Sequence, residues 1–205
     1  MNPAVSLISP AVISVYISPD NLDSTPLEDW ELGGIGLSDS SQGLMYQSWH
    51  LVVSGTGVNT AVYVDAPNTP STFLFSLQNI TWARLAFDQN MRPVVSYVAG
   101  SGPGFWWWDP TIPGVTFTSL PSSVISPCVT MDDKRDLQTR LGNNDVVMCY
   151  INSGDLCYRL QRDRYGIEYV WLNSVNLIVS NPYVNKIGMS EGLRLRIEIR
   201  GALYL

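Results

Sequence analysis

Residues 193–200 read LRLRIEIR, and this alternation of aliphatic and charged residues is the clearest structural signal in the chain. Successive side chains of a β-strand point to opposite faces of the sheet, so the four aliphatic residues share one face and the four charged residues share the other. One apolar and one charged face are typical of a half-buried strand in an antiparallel sheet. We therefore predict such a strand here.

The same period of two recurs along the chain, whereas helical periodicity is nearly absent. Further strands are predicted at residues 12–17, 50–54, 60–65, 72–77, 94–98, 105–108, 115–118, 146–151, 156–161 and 167–172. Turn-forming residues separate them, among 16 Gly and 13 Pro. Residues 131–141, MDDKRDLQTRL, predict a short helix that ends at Gly142. The prediction is an all-β fold with few helices, in which antiparallel hairpin units pack as a propeller-like or sandwich domain.

The hairpins form a weak internal repeat. RLAFD at residues 84–88 is followed by an apolar strand, a Gly turn and a second strand, and CVTMD at residues 128–132 is followed by the same series. The final Asp residues of these two segments lie 44 residues apart, which is in the range of a propeller blade. A poorer copy begins at residues 34–38 and a fragment at residues 187–190. We predict about three hairpin units; generic hairpins that imitate a repeat are the alternative.

The predicted domain covers residues 29–205, and residues 1–28 are set apart by their apolar, Pro-spaced composition. This segment lacks the basic start of a secretory signal, and we expect none. Two roles remain open for it: an arm that pairs with a neighbour's sheet edge, or the first strands of its own domain. No apolar run is long enough to predict a transmembrane helix. Cys149 and Cys157 lie in apolar strand-like runs, which predicts buried, reduced thiols.

Charge is scarce and unevenly distributed. Charged residues make up 15% of the 205, against about 25% in an average soluble domain, and the net charge is −6. Residues 1–83 hold seven acidic residues and no Lys or Arg; the first basic residue is Arg84. This distribution argues against nucleic acid as a primary partner, because phosphate binding needs clustered basic residues. A surface so poor in charge favours association, so we predict that much of it is covered by partner subunits.

Catalytic chemistry finds little support in the sequence. The chain has one histidine, His50, and no nucleophile motif near it, which disfavours a catalytic triad. Zinc needs several His or Cys at ligand spacing, and these are lacking. Asp132, Asp133 and Asp145 alternate with basic residues, which is typical of surface ion pairs. We predict no enzymatic activity, no metal and no cofactor, with a glycan hydrolase that uses Asp132 and Asp133 as a remaining alternative.

The most unusual string is FWWW at residues 105–108, after a Ser-Gly-Pro-Gly loop. Alternation places Trp106 and Trp108 on one face of a strand and Trp107 on the other. Exposed tryptophans serve protein interfaces or stack on sugars. All three are therefore candidates for an interface or a ligand-stacking site, while packing of one face in the core is the simpler alternative.

One set of segments resembles a known family. Residues 129–135 form an acidic-basic loop; residues 144–150 and 156–168 then form a hairpin that ends in an Arg-rich turn, QRDRYG. Together they resemble tail and virion structural proteins of tailed bacteriophages, and residues 85–93 resemble the preceding unit of that family. The likeness is good over residues 80–205 and loose over 30–80.

The resemblance implies a non-enzymatic structural component of a tail, in the tube, nozzle, adaptor or fibre attachment. It implies copies of the chain and other tail proteins as partners, no membrane insertion, and a place in the virion after assembly in the host cytoplasm. The alternative is a carbohydrate-binding module on a tail that recognises host surface glycan through the tryptophans. The chain departs from the family pattern at Cys149, Cys157 and Leu160, and no catalytic residue is carried over.

Three arginines of the resembling hairpin, Arg159, Arg162 and Arg164, are further interface candidates. A turn at Arg162 and Arg164 would present a fork of guanidinium groups, which pair planar carboxylates well. The acidic residues 1–83 of a neighbouring copy are one candidate partner. On this hypothesis, reversing the charge of Arg162 and Arg164 weakens assembly in a salt-dependent way.

Overall fold

The computed structural model of the chain is built almost entirely of β-strands. It describes residues 14–19, 34–40, 43–54, 60–65, 71–88, 92–109, 111–112, 114–132, 145–177, 179–189 and 195–203. The strands are β1 (Ser14–Pro19), β2 (Gly34–Ser40), β3 (Gly43–Ser54), β4 (Thr60–Asp65), β5 (Thr72–Leu77), β6 (Trp82–Phe87), β7 (Pro93–Ala99), β8 (Gly102–Trp108), β9 (Val115–Ser119), β10 (Val124–Asp132), β11 (Asp145–Asn152), β12 (Asp155–Leu160), β13 (Tyr169–Leu172), β14 (Val179–Met189) and β15 (Leu195–Leu203). Two 3₁₀ turns, Gln161–Asp163 and Val175–Leu177, are the helical elements of the described residues. The predicted all-β fold is confirmed.

The strands form four sheets. Sheet 1 (β2-β3-β4-β5), sheet 2 (β6-β7-β8-β9) and sheet 3 (β10-β11-β12-β13) are antiparallel and four-stranded, and each follows the order of the chain. Sheet 4 has the order β1-β15-β14; β15 pairs antiparallel with β14 and parallel with β1. The strand predicted from LRLRIEIR is thus a central strand with one parallel neighbour, and not a purely antiparallel one.

The predicted strands did not include β2, β6, β10 or β14, one strand in each sheet. β2, β6, β10 and β14 contain the repeat segments at residues 34–38, 84–88, 128–132 and 187–190, apart from Asp88 and Ser190, which follow β6 and β14. The short helix expected at residues 131–141 is wrong at its start, because Met131 and Asp132 extend β10 and pair with Val146 and Asp145 of β11. Its remaining residues lie outside the described part of the chain.

Three apolar cores separate the four sheets. The first core lies between sheets 1 and 2 and includes Val62, Phe75, Leu85, Val95 and Trp106. The second core lies between sheets 2 and 3 and includes Val94, Phe105, Trp107, Met148 and Tyr150. The third core lies between sheets 3 and 4 and includes Val147, Cys149, Leu160, Ile197 and Ile199. Sheets 2 and 3 are therefore buried on both faces, which is sandwich packing repeated along the chain.

Because side chains alternate along a strand, one strand contributes residues to the cores on both of its faces. Along β11, residues 146, 148 and 150 enter the second core while residues 147, 149 and 151 enter the third. On β15, Ile197 and Ile199 are fully buried and Glu198 between them is half-buried, as the LRLRIEIR pattern predicts. Burial of each such aliphatic side chain stabilises the fold by about 1.5–3 kcal/mol.

The N-terminal segment contributes a strand to the chain's own domain. Within residues 1–28, the structure describes residues 14–19, which form β1 and run in parallel register from Ser14 opposite Arg196 to Pro19 opposite Gly201. These six residues thus pair within their own chain. The rest of residues 1–28 lies outside the described part of the chain.

Candidate functional site

The tryptophan string forms the end of β8, and its faces alternate as predicted. Trp106 enters the first core, while Phe105 and Trp107 enter the second. The indole Nε1 of Trp107 donates a hydrogen bond to Thr118 Oγ1 on β9 at 3.3 Å. Trp106 and Trp107 are 5% and 2% exposed, so they fill the interior of a single chain. This corrects their candidacy as stacking or interface residues.

Trp108 remains accessible, with 38% of its surface exposed. It pairs directly with Val115 of β9, and Trp106 pairs with Phe117. Directly opposed residues share a face of the sheet, so Trp108, Val115 and Phe117 continue the face that packs in the first core. Val115 and Phe117 are 48% and 49% exposed. The apolar face of sheet 2 therefore extends beyond its own core at the edge strand β9.

The Arg-rich segment folds as a tight turn after β12. Residues Gln161–Asp163 form the 3₁₀ turn, and the N–H of Arg164 donates to the carbonyl of Gln161 at 2.8 Å. Arg164 and Tyr165 adopt left-handed backbone conformations with φ of 51° and 55°. Two successive left-handed residues are unusual outside glycine and reverse the chain sharply. The turn thereby directs its side chains back onto sheets 2 and 3.

Both arginines of this turn are paired within the chain. Arg162 Nε lies 2.5 Å from Asp145 Oδ2, and its backbone N–H donates to Asp145 Oδ1 at 2.7 Å. Arg164 Nη2 lies 2.5 Å from Asp109 Oδ2. Since Asp109 follows β8 and Arg164 follows β12, the second pair links sheet 2 to sheet 3. We expected Arg162 and Arg164 to face acidic residues of a neighbouring copy, and the structure corrects this expectation because both pair with carboxylates of their own chain. The Arg164 side chain is nevertheless 52% exposed.

A third carboxylate joins the same turn. Asp88, 2% exposed at the end of β6, accepts a hydrogen bond from Gln161 Nε2 at 3.3 Å. It also pairs with Arg92 Nε at 2.8 Å and accepts from the Arg92 backbone N–H at 2.9 Å. We call Asp88, Asp109 and Asp145, with Arg92, Arg162 and Arg164, the arginine–carboxylate cluster. Each buried carboxylate in it faces at least one arginine, so the cluster is balanced in charge.

Arg159 belongs to a separate network on the same side of sheet 3. Its Nε donates to Tyr150 Oη at 2.6 Å, its Nη1 donates to the Tyr165 carbonyl at 2.8 Å, and its Nη2 lies 3.4 Å from Glu168 Oε2. Tyr150 in turn donates to Glu168 Oε2 at 2.6 Å. Arg159 is 16% exposed in its side chain, so it serves the fold and not an outer surface.

Tyr165 connects the turn to the tryptophan string. Its ring makes edge contacts with Phe105 at 4.7 Å and Trp107 at 5.1 Å between centroids. The residue is 1% exposed, and its hydroxyl finds no hydrogen-bond partner among the described residues. Burial raises the pKa of this phenol well above its usual value, and the charges of Asp145 and Asp88 act in the same direction.

The carboxylates of these networks titrate in opposite directions. Burial raises the pKa of Asp145 despite its hydrogen bonds from Arg162. Burial also opposes ionisation of Asp109 and Glu168, but here hydrogen bonds outweigh it. The pKa of Asp109 is lowered by Thr111 and Arg164, and that of Glu168 by Tyr150, Asn152 and Arg159. Asp109 and Glu168 thus hold their charge as structural partners of arginine.

The remaining chemistry in the described residues is structural. Cys128, Cys149 and Cys157 are buried free thiols, which confirms the prediction for the last two; burial raises the pKa of Cys128 and of Cys157 to about 12. A buried thiol of high pKa is inert as a nucleophile. No cluster of three His, Cys, Asp or Glu residues suited to a metal ion occurs in the described ranges. Nor does a described helix reach the length and apolar character needed to cross a membrane.

Sequence reasoning missed two features of the site. Asp109 was not among the predicted site residues, although its position directly after a predicted strand was the available signal. The exposed apolar residues of β9, VTFTS, were placed on a strand but not recognised as a surface. Its lack of charge was the available signal. The side chain of Asp132 and all of Asp133 lie outside the described structure. No family model, no curated protein and no solved structure matches the chain.

Proposed function

We propose that the protein is a structural component of a bacteriophage tail that acts by protein–protein assembly. The observation that carries the proposal is the edge strand β9, whose Val115 and Phe117 are about half exposed and which has no charged residue. The described residues place no further strand beside it. Monomeric proteins guard such edges with Lys, Pro or a covering loop. An edge strand that exposes apolar side chains fits a subunit surface that is covered on assembly.

The segments that resemble phage tail proteins have a role consistent with this function. Their hairpin ends in the arginine–carboxylate cluster, where Arg164 on the sheet 3 side pairs with Asp109 on the sheet 2 side. Such pairing fixes the relative position of two sheets without creating a reactive group, since the charges neutralise each other. A rigid, unreactive block is what a tail subunit requires.

The proposed function is tested on the phage that encodes the chain. Tails purified on a density gradient are expected to contain the chain in fixed stoichiometry, as measured by quantitative mass spectrometry. Phage deleted for its gene are expected to give particles with defective tails in electron micrographs, and a plasmid copy is expected to restore them. Wild-type particles from the deleted phage, with no chain in purified tails, would contradict the proposal.

Glycan recognition on a tail is the second candidate, and the exposed Trp108 is the observation that favours it. Sugar-binding sites commonly stack a ring on such an indole. With Trp106 and Trp107 buried, this candidate rests on Trp108, and a glycan array probed with the isolated chain tests it.

A further inference from the structure

The β9 edge of sheet 2 has a defined set of backbone groups that face away from β8. The N–H of Leu120 donates to the carbonyl of Pro103, directly opposite, at 3.0 Å. Hydrogen-bonded pairs alternate along an antiparallel ladder, so Thr118 and Thr116 also direct their backbone groups toward β8. Val115, Phe117 and Ser119 consequently direct theirs away from the sheet, where the described structure places no further strand.

The side chains of β9 divide in the same way. Val115, Phe117 and Ser119 are exposed, while Thr116 and Thr118 are half-buried on the other face. Phe117 is held in place from one side by Phe75, at 5.4 Å between ring centroids. β9 therefore exposes Val115 and Phe117, and among the described strands it is paired along one edge only.

The order of residues in β9 is nearly symmetric about Phe117, since VTFTS has Thr on both sides of the ring and small residues at both ends. In an antiparallel pair with a second β9, a two-fold axis at Phe117 would place Phe117 opposite its own copy, Thr116 opposite Thr118, and Val115 opposite Ser119. The outward-facing residues then form the hydrogen-bonded pairs, and each such pair exchanges two hydrogen bonds. Thr–Thr pairs contribute roughly 0.2–1 kcal/mol each.

We propose that β9 pairs antiparallel with β9 of a second copy of this chain about a two-fold axis at Phe117, which joins two four-stranded sheets into one continuous sheet. The inference rests on the proposed assembly function and deepens it by naming one partner and one contact. A two-fold contact places the same segment of both copies against each other. A strand whose sequence is nearly symmetric about its centre therefore suits a second copy of itself as its partner. The strands in the corresponding position of sheets 1 and 3, β5 (TFLFSL) and β13 (YVWL), lack this symmetry.

The backbone geometry of β9 excludes slips of the pair by an odd number of residues. A slip by one residue would place Phe117 opposite Thr116 or Thr118 and would set outward-facing backbone groups against inward-facing ones. A single strand pair buries less than the roughly 800 Å² per partner of a standard interface, so the isolated dimer is expected to be weak. Protein at roughly 0.1 mM is above a micromolar Kd and suits its detection.

A charge exchange tests the pairing at Val115 and Ser119, which face each other across the two-fold axis. The wild-type chain is expected to sediment as a dimer, at twice the 22.7 kDa of the monomer. Val115→Lys/Ser119→Lys places like charges opposite each other in both halves of the contact and is expected to give monomer. Val115→Lys/Ser119→Glu places opposite charges there and is expected to restore the dimer. Ser101→Lys/Ser122→Lys, on exposed turns, is the matched control and is expected to stay dimeric.

Thermal unfolding by circular dichroism accompanies each variant, and a variant is compared only if its Tm stays within a few degrees of the wild type. A monomeric wild type at this concentration overturns the inference, and so does equal behaviour of the two Val115/Ser119 variants. If the chain occurs in purified tails but the two Val115/Ser119 variants associate equally, only the proposed β9 pairing is contradicted. If the charge exchange works as described but the chain is absent from tails, only the tail function fails.

Discussion

Tyr150 and Tyr165 lie in the same core but differ in the hydrogen bonding of their hydroxyl groups. Tyr150 Oη accepts from Arg159 and donates to Glu168, both at 2.6 Å. Tyr165 Oη is equally buried and has no hydrogen-bond partner among the described residues. A buried hydroxyl without a partner costs free energy, whereas a paired one is costly to remove.

Removing each hydroxyl separately is expected to have opposite effects. Tyr150→Phe leaves Arg159 and Glu168 without their shared partner and is expected to lower the free energy of unfolding by about 1–3 kcal/mol. Tyr165→Phe is expected to leave it unchanged or to raise it. Urea unfolding followed by far-UV circular dichroism measures both. Equal destabilisation by the two variants would show that Tyr165 Oη has a partner.

The partners of single residues were the least predictable part of the site. Arg164 and Asp109 lie 55 residues apart in sequence, and Gln161 and Asp88 lie 73 apart. No short-range sequence pattern indicates which residues so far apart will pair. From the sequence we therefore expect Arg164 to have a partner in a neighbouring copy. The structure supplies an internal one because the turn after β12 folds back over the end of β8.

Strand β8 shows what periodicity can and cannot predict for an element. Alternation correctly placed Trp106 and Trp107 on opposite faces. It could not predict that both faces are buried, because that depends on sheets 1 and 3 packing on either side. The same reason explains why β6 was missed: it reads WARLAF and is buried along nearly its whole length, so it lacks the polar face that marks a strand.

Alanine at Trp107 and at Trp108 is expected to separate a core position from a surface position. Trp107→Ala leaves a cavity in the second core and loses the bond to Thr118, so about 3–5 kcal/mol of stability should be lost. Trp108→Ala is expected to cost roughly 1 kcal/mol. Urea unfolding gives both values. If the isolated chain binds a glycan, Trp108→Ala should abolish that binding; a similar cost for both variants would contradict the assigned faces.

At the scale of the whole molecule, charged pairs connect sheets that are otherwise joined by apolar packing. Asp109 follows a strand of sheet 2, and its partner Arg164 follows a strand of sheet 3. The lowered pKa of Asp109 means that its contribution is complete above the ordinary Asp value, near 3.9, and is lost as pH falls through its lower folded value. The raised pKa of Asp145 acts in the opposite sense, because protonation at falling pH then favours the folded state.

The two carboxylates are therefore expected to shape the acid stability differently. Tm should fall below about pH 4 as Asp109 and Glu168 take up protons. Asp109→Asn is expected to flatten this fall, and Asp145→Asn is expected to steepen it, because the raised pKa of Asp145 favours the folded state as pH falls. Differential scanning calorimetry from pH 6 to pH 2.5 measures the slopes. Identical slopes for the two variants would show that neither group is linked to unfolding.

The parallel pairing of β1 with β15 has a consequence for how the chain is made. β1 leaves the ribosome before its partner β15, which begins only some 175 residues later; that interval takes roughly 10–35 s at ordinary rates of synthesis. Sheets 1, 2 and 3 draw their strands from consecutive stretches of chain and can form during that time. Sheet 4 cannot, because it needs both β1 and β15. The nascent protein therefore grows in order from its first sheet to its third and closes the fourth only when synthesis has passed β15.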